Sequence, residues 1–263
     1  MDNPYILEET DDYAVVFKPP KMHCTSNPGK KSAGTLYDWF AENTSSFFDI
    51  MHRLDYETNG LVLFAKNEKC YNFLKSAQDN DAFIKEYSAI CSFPSDISQN
   101  SGFSFLRAQN LTSRSLIGFP PCPLTEETAN AFQSIKNNLI IESYFRPYGP
   151  GRKLVRPLLD DGKKHRETAK DKGGFYKTEI INKKENVLTA RIKRGFRHQI
   201  RCHLYWIGYP ILNDPLYSNN SPDPQSILAL RSHALFFPDP STGGQREYRI
   251  APLAEDHSRL TAL

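Results

Sequence analysis

The chain has 263 residues, 39% of them hydrophobic and 24% charged, with a formal net charge of +3. That balance fits one ordinary globular domain, or two small ones, and excludes a low-complexity or highly charged disordered chain. No run of eighteen apolar residues occurs, and Met1-Asp2-Asn3-Pro4-Tyr5 has neither the basic nor the apolar region of a secretory signal, so neither a membrane span nor secretion is expected.

Ile6 to Pro20 reads as a strand, an acidic turn and a second strand stopped by Pro19-Pro20. Thr35 to Asn43 reads as a helix, with Thr35 and Asp38 as a capping box. Its buried face would be Leu36, Trp39 and Phe40, at i, i+3 and i+4. The run His52-Arg53-Leu54-Asp55-Tyr56-Glu57-Thr58-Asn59-Gly60 follows, and Asn59-Gly60 suggests a turn. Leu61–Ala65 is short and apolar enough to be a buried strand. Asp55 would then sit on a loop held by a rigid element, where catalytic groups often lie. As residues alone, Asp55 and Asn59-Gly60 fit a plain turn equally well.

Asn67 can cap a second helix to about Ala77, with Cys70, Phe73, Leu74 and Ala77 inward. Ile84–Cys91 alternates like a strand, with Tyr87 half-buried in it. Residues 96–124 are rich in Ser, Asn, Gly and Pro and read as a loop-rich insertion, followed by a helix at about Glu126–Asn137. Phe145–Pro157 interleaves aromatic, Pro, Gly and basic residues, and Lys163-Lys164-His165-Arg166, Lys170 and Lys172 come after it. Bases on a Gly/Pro loop, Lys153 and Arg156 among them, suit phosphate contacts, and the aromatics suit unpaired bases. Tyr176–Ile181 and Val187–Lys193 alternate as a hairpin around Lys183–Asn186. In Gly195–Tyr217, Ile200, Leu204 and Ile207 share one helical face, and Gly208 and Pro210 end the helix. Arg201 lies off that face, the ordinary place for an exposed arginine.

Cys24, Cys70, Cys91, Cys122 and Cys202 are odd in number and scattered, which suggests reduced thiols in a cytoplasmic protein. No ligand pair has metal spacing and no Gly-rich phosphate loop occurs, so neither a metal nor an organic cofactor is expected.

His52 to Lys66 resembles the HRLD-x-x-[TS]-x-G-L signature of RluA-type RNA pseudouridine synthases over about fifteen positions, with Asn59 where Ser is usual. Lys85-x-Tyr87-x-Ala89 is similar to that family's K-x-Y-x-A motif. Gly195 to Tyr217 resembles its G-R-T-H-Q-[IL]-R-x-H…G-D-x-x-Y stretch, with Phe196-Arg197 for Arg-Thr and Asn213 for Gly. Leu230–Phe237 and Pro238–Gly243 resemble its closing strand and turn. The resemblance implies a mixed α+β fold, with helices flanking a central, largely antiparallel sheet and a cleft across it. It implies one catalytic domain over 1–263, with the insertion at about 96–160 and no S4-like domain before it. Asp55 would be the catalytic carboxylate, Arg201 its partner, and Tyr87 the ring that stacks on the target uracil. Arg53 would help flip the base, with His52 and Arg197 as further substrate contacts; the resemblance covers 96–160 poorly, so Lys153 and Arg156 are substrate contacts on the strength of their basic stretch instead. The expected partner is ribosomal or transfer RNA, bound by a monomer. A base-releasing N-glycosylase-like hydrolase and an RNA-binding module without catalysis are the competing readings.

Overall fold

The computed structural model describes residues 3–26, 34–44, 47–92, 119, 138–159, 175–218 and 222–253. Its centre is a pair of strands buried along their whole length, β2 (Tyr13–Lys18) and β4 (Asn59–Ala65). Both read as continuous apolar runs because both faces are covered. Val62 and Phe64 enter one core cluster with Ala14 and Val16, whereas Leu61, Leu63 and Ala65 enter a second with Tyr13 and Val15. This is the period-two alternation of a strand with a core on each side.

Around this pair, eleven strands among the described residues form one sheet. β1 (Tyr5–Glu9) pairs with β2 across a turn in which Thr10 Oγ1 accepts the amides of Asp12 and Tyr13. The short β3 (Asp49–Ile50) pairs with the far end of β4. β5 (Ile84–Ile90) lies further across, with β10 (Leu230–Pro238) between it and β4. The hairpin of β8 (Tyr176–Lys184) and β9 (Val187–Ile192) continues the sheet from β5, and β6 (Leu139–Tyr148) and β7 (Leu154–Leu158) end it. β11 (Gln245–Arg249) returns along the second half of β10. The pairing is antiparallel except between β10 and β4, so the sheet is mixed and largely antiparallel, as expected.

Helix α1 (Leu36–Glu42) covers the first core with Leu36 and Phe40, and is capped as expected by Thr35 and Asp38. Helix α2 (Glu68–Asp79) covers the second with Cys70, Leu74 and Ala77, and the Asn67 side chain accepts the Cys70 amide. Phe73, expected inward, is 37% exposed, since it sits at the edge of the α2 stripe. Helix α3 (Gln199–Trp206) adds Ile200, Leu204 and Trp206 to the first core, and every one of its residues is buried. Among the described residues no helix is long and apolar enough to cross a membrane.

Two expectations change. Asn59-Gly60 is not a turn: it opens β4 and pairs in parallel with Arg231-Ser232 of β10. Phe145–Pro157 is not a loop but the β6–β7 hairpin, closed by a 3₁₀ turn at Pro150–Arg152. The helix expected at 126–137, nearly all of the 96–124 insertion, and Lys163, Lys164, Lys170 and Lys172 lie outside the described residues.

Candidate active site

The loop carrying Asp55 is held at several points. Cys24 Sγ lies 3.4 Å from the Leu54 carbonyl and 3.2 Å from the Leu54 amide, so the buried thiol grips the residue before Asp55. Lys18, fully buried at the end of β2, donates to the carbonyls of Pro19 and Met22 at 2.8 Å and of Tyr56 at 3.3 Å. Burial pulls its ammonium down to about 8, against the opposing charges of Asp55 and Glu57. The Thr58 amide closes the turn on the Asp55 carbonyl at 3.2 Å. Gly60 then passes so close to β10 that an added Cβ would stand 2.2 Å from the Ser232 carbonyl oxygen, at φ +121°. No other residue fits there. Ahead of that close approach Asp55 keeps 22% of its side chain in solvent, so the carboxylate is fixed but open.

Arg201 comes to it from the first turns of α3. Its Nη1 donates to Asp55 Oδ2 at 3.2 Å. The two-armed grip of the guanidinium goes to Asp214 instead: Nε and Nη2 each reach one oxygen of that carboxylate at 2.8 Å. The reason is burial. Asp214 has no exposed side-chain surface and Arg201 only 2%, and two fully desolvated charges need the stronger bidentate pairing. Burial alone would raise the Asp214 carboxyl, but the Arg201 charge and the amides of Leu216 and Tyr217 hold it below the ordinary range. Burial likewise opposes the Arg201 charge, and Asp214 and then Asp55 more than restore it. Asn213 stands before Asp214 at φ +60°, a left-handed position that suits Gly and that Asn tolerates.

His198 and Tyr217 complete the wall. The His198 backbone is left-handed at φ 57°, directly before α3. Its Nε2 lies 3.9 Å from Asp55 Oδ1, and its Nδ1 3.3 Å from the Tyr217 hydroxyl. Burial pulls the imidazole down to about 4, more than the Asp55 charge lifts it, so His198 is neutral at pH 7. The Tyr217 hydroxyl accepts the Val155 amide at 2.7 Å, tying this wall to β7.

Tyr87 rises from β5, 6% exposed. Its hydroxyl is pushed up by burial first and by the Asp55 charge second, against a hydrogen bond with Ser232. Tyr87, Arg201 and His198 are therefore each within electrostatic reach of Asp55. The other sequence candidates are more dispersed. His52 turns toward the second core, where its Nε2 accepts the Leu63 amide and its ring packs edge-on against Phe83. Arg53 is exposed. Arg197 is exposed and donates to the carbonyls of Arg152 and Leu154 on the hairpin. Lys153 is exposed on that hairpin, and Arg156 lies 5.5 Å from the Tyr148 ring. Phe196 stacks on Phe145 with centroids 5.1 Å apart, so the residue in place of the usual Arg is a packing residue.

Sequence reasoning gave no role to Asp214, His198 or Lys18. The signal for Asp214 was present: a carboxylate inside Ile211-Leu212-Asn213-Asp214-Pro215-Leu216 requires a buried partner. Nothing in the local sequence marks His198 as left-handed.

Known proteins share both sequence and fold with this one. The human "RNA Pseudouridylate Synthase Domain Containing 1" superposes with a TM-score of 0.60 at 15% identity, covering 99% of this chain and 94% of that one. "RNA Pseudouridylate Synthase Domain Containing 4", also human, gives 0.57 at 16% identity, covering 94% and 88%. An uncharacterized RNA pseudouridine synthase of Helicobacter pylori is 28% identical over 239 residues, 89% of this chain and 72% of that protein. Another, of Mycoplasma genitalium, is 24% identical over 218 residues; the match takes in 82% of this chain but only 56% of that protein. Residues 12–206, which include Asp55, Tyr87, His198 and Arg201, match the family described as RNA pseudouridylate synthase, and the chain belongs to that family.

Proposed function

We propose that this protein isomerises uridine to pseudouridine in structured RNA, with Asp55 as the catalytic carboxylate. One observation carries the reading: a partly open carboxylate held at 3.2 Å by a buried arginine, with the Tyr87 hydroxyl within reach of its charge. The reaction breaks the C1′–N1 bond and forms a C1′–C5 bond. It consumes no oxidant and transfers no group to a second substrate. The site must expose C1′ to a negative group, hold the detached uracil while it turns, and move one proton. Asp55 supplies the charge at C1′ as nucleophile or electrostatic partner. Arg201, itself locked to Asp214, fixes where that charge points. The Tyr87 ring offers a face for the base. Neutral His198 adds no competing positive charge beside the carboxylate.

A uridine in a folded RNA must leave its stack, at a cost of a few kcal/mol. In this reading Arg53, exposed and two residues before Asp55, fills the space it leaves. Lys153 and Arg156 on the β6–β7 hairpin extend a basic surface for phosphates, and Arg197 holds that hairpin to the site. The substrate in this reading is ribosomal or transfer RNA, and the protein acts as a monomer in the cytoplasm. Product analysis of RNA treated with the pure protein tests the reading. Pseudouridine retained in the chain supports it; release of free uracil would instead indicate a hydrolase, and no change at all a binding module.

A further inference from the structure

Two exposed aromatic side chains, one of them next to Asp55 in the chain, take no part in the chemistry above. Tyr56 follows Asp55 directly in the chain and keeps 42% of its surface in solvent. It belongs to none of the three core clusters. Its ring lies 4.6 Å from that of His23, tilted by 41°. His23 is itself exposed. The supports of both residues are rigid: the Tyr56 carbonyl accepts from the buried Lys18 ammonium at 3.3 Å, and the His23 carbonyl accepts the Leu36 amide at 2.9 Å, at the start of α1.

Tyr56 thus presents an exposed aromatic face on the residue next to Asp55. Beside a carboxylate that must meet C1′ of a flipped uridine, it has a use. The neighbouring nucleotide is joined to the flipped one by a single phosphodiester, so its base stays within one nucleotide's length of Asp55 and of the residue next to it. That base has lost a stacking partner, and an aromatic face replaces the partner whatever the base is. We propose that Tyr56, steadied by His23, stacks on the base adjacent to the target uridine and so selects sites where that neighbour is unpaired. The assignment rests on the proposed pseudouridine synthase activity and deepens it.

The test starts by mapping the uridine that the wild-type protein converts in total RNA. Two oligoribonucleotides are then made around it, one intact and one with an abasic ribose at the adjacent position, on the 5′ side in one series and the 3′ side in another. With intact RNA, Tyr56→Ala should raise Kd about 5- to 150-fold, the equivalent of roughly 1–3 kcal/mol for one stacked base. Tyr56→Phe, which keeps the ring, should bind like wild type, and His23→Ala should lose less than Tyr56→Ala. On the abasic RNA of one side, wild type and Tyr56→Ala should bind equally. The same loss on intact and on both abasic RNAs would overturn the stacking role, because it would show a general interaction or a disturbed loop. An unchanged Kd on intact RNA would overturn it as well. Absence of pseudouridine with wild-type protein on every RNA would overturn the activity itself, a result distinct from either.

Discussion

Arg201 serves two carboxylates unequally, and the inequality is open to measurement. Asp214 takes both arms of the fork in full burial, whereas Asp55 takes one bond and stays partly solvated. Asp214→Asn should therefore cost about 3–5 kcal/mol of stability, since it leaves a buried cation with half a partner. Asp55→Asn should cost far less, and urea denaturation of the two variants compares them directly. Similar losses would show that the two carboxylates share the guanidinium evenly. The sequence motifs led to Asp55, Tyr87 and Arg201 as residues but not to this ranking. Burial decides which carboxylate takes the fork, and burial depends on residues brought together from far along the chain. Phe196 shows the same limit: in the sequence it is only a departure from the usual Arg, and its reason appears once Phe145 is found stacked against it.

At the scale of elements, Asp55 is held where β4 meets β10, and Gly60 sets how closely they meet. Gly60→Ala should destabilise the protein by more than about 3 kcal/mol, because a methyl group would enter the Ser232 backbone at a φ that alanine avoids. Thermal unfolding measures it, and a destabilisation below about 1 kcal/mol would mean that the two strands can part without harm. The β6–β7 hairpin makes a separate prediction. Neutralising Lys153 and Arg156 should lower the slope of log K against log salt by roughly 0.7–0.9 for each phosphate interaction removed. An unchanged slope in RNA-binding titrations would mark the hairpin as a solvated arm. That hairpin was illegible as strands because Pro147 and Pro157 argue against a ladder. They are tolerated because β8 pairs with β6 only as far as Ser143. Beyond it, among the described residues, β6 and β7 form a two-stranded ribbon. The α1 and α2 starts were legible for the opposite reason, since Thr35 and Asn67 act within three residues of themselves.

For the whole molecule, buried histidines govern the acid limit. His198 is pulled down to about 4 and His203 to about 3 by burial, and His52 is lowered by burial and by Lys85. His203 lies fully buried between the Ser143 and Thr178 hydroxyls, at 2.9 and 2.8 Å. Below about pH 6.5 the unfolded chain takes up protons on these groups that the folded chain refuses, so stability should fall as pH drops from about 6.5 toward about 4. The slope should reach about 1.4 kcal/mol per pH unit for each such histidine, and Tm measured against pH reads it; a flat profile down to about pH 5 would show that the folded protein accommodates the protons. Strand order is the least legible property at this scale. β10, near the chain's end, lies between β4 and β5, and no local pattern announces that insertion. Nor does any local pattern announce the meeting of two motifs 146 residues apart, Asp55 and Arg201. The most direct measurement is single-turnover pseudouridine formation by Asp55→Asn, which keeps size and removes only charge. Turnover should become undetectable while RNA affinity stays within about tenfold. Retention of more than about a tenth of wild-type turnover, a barrier rise of less than roughly 1.4 kcal/mol, would contradict the account and return Asp55 to the role of a turn residue.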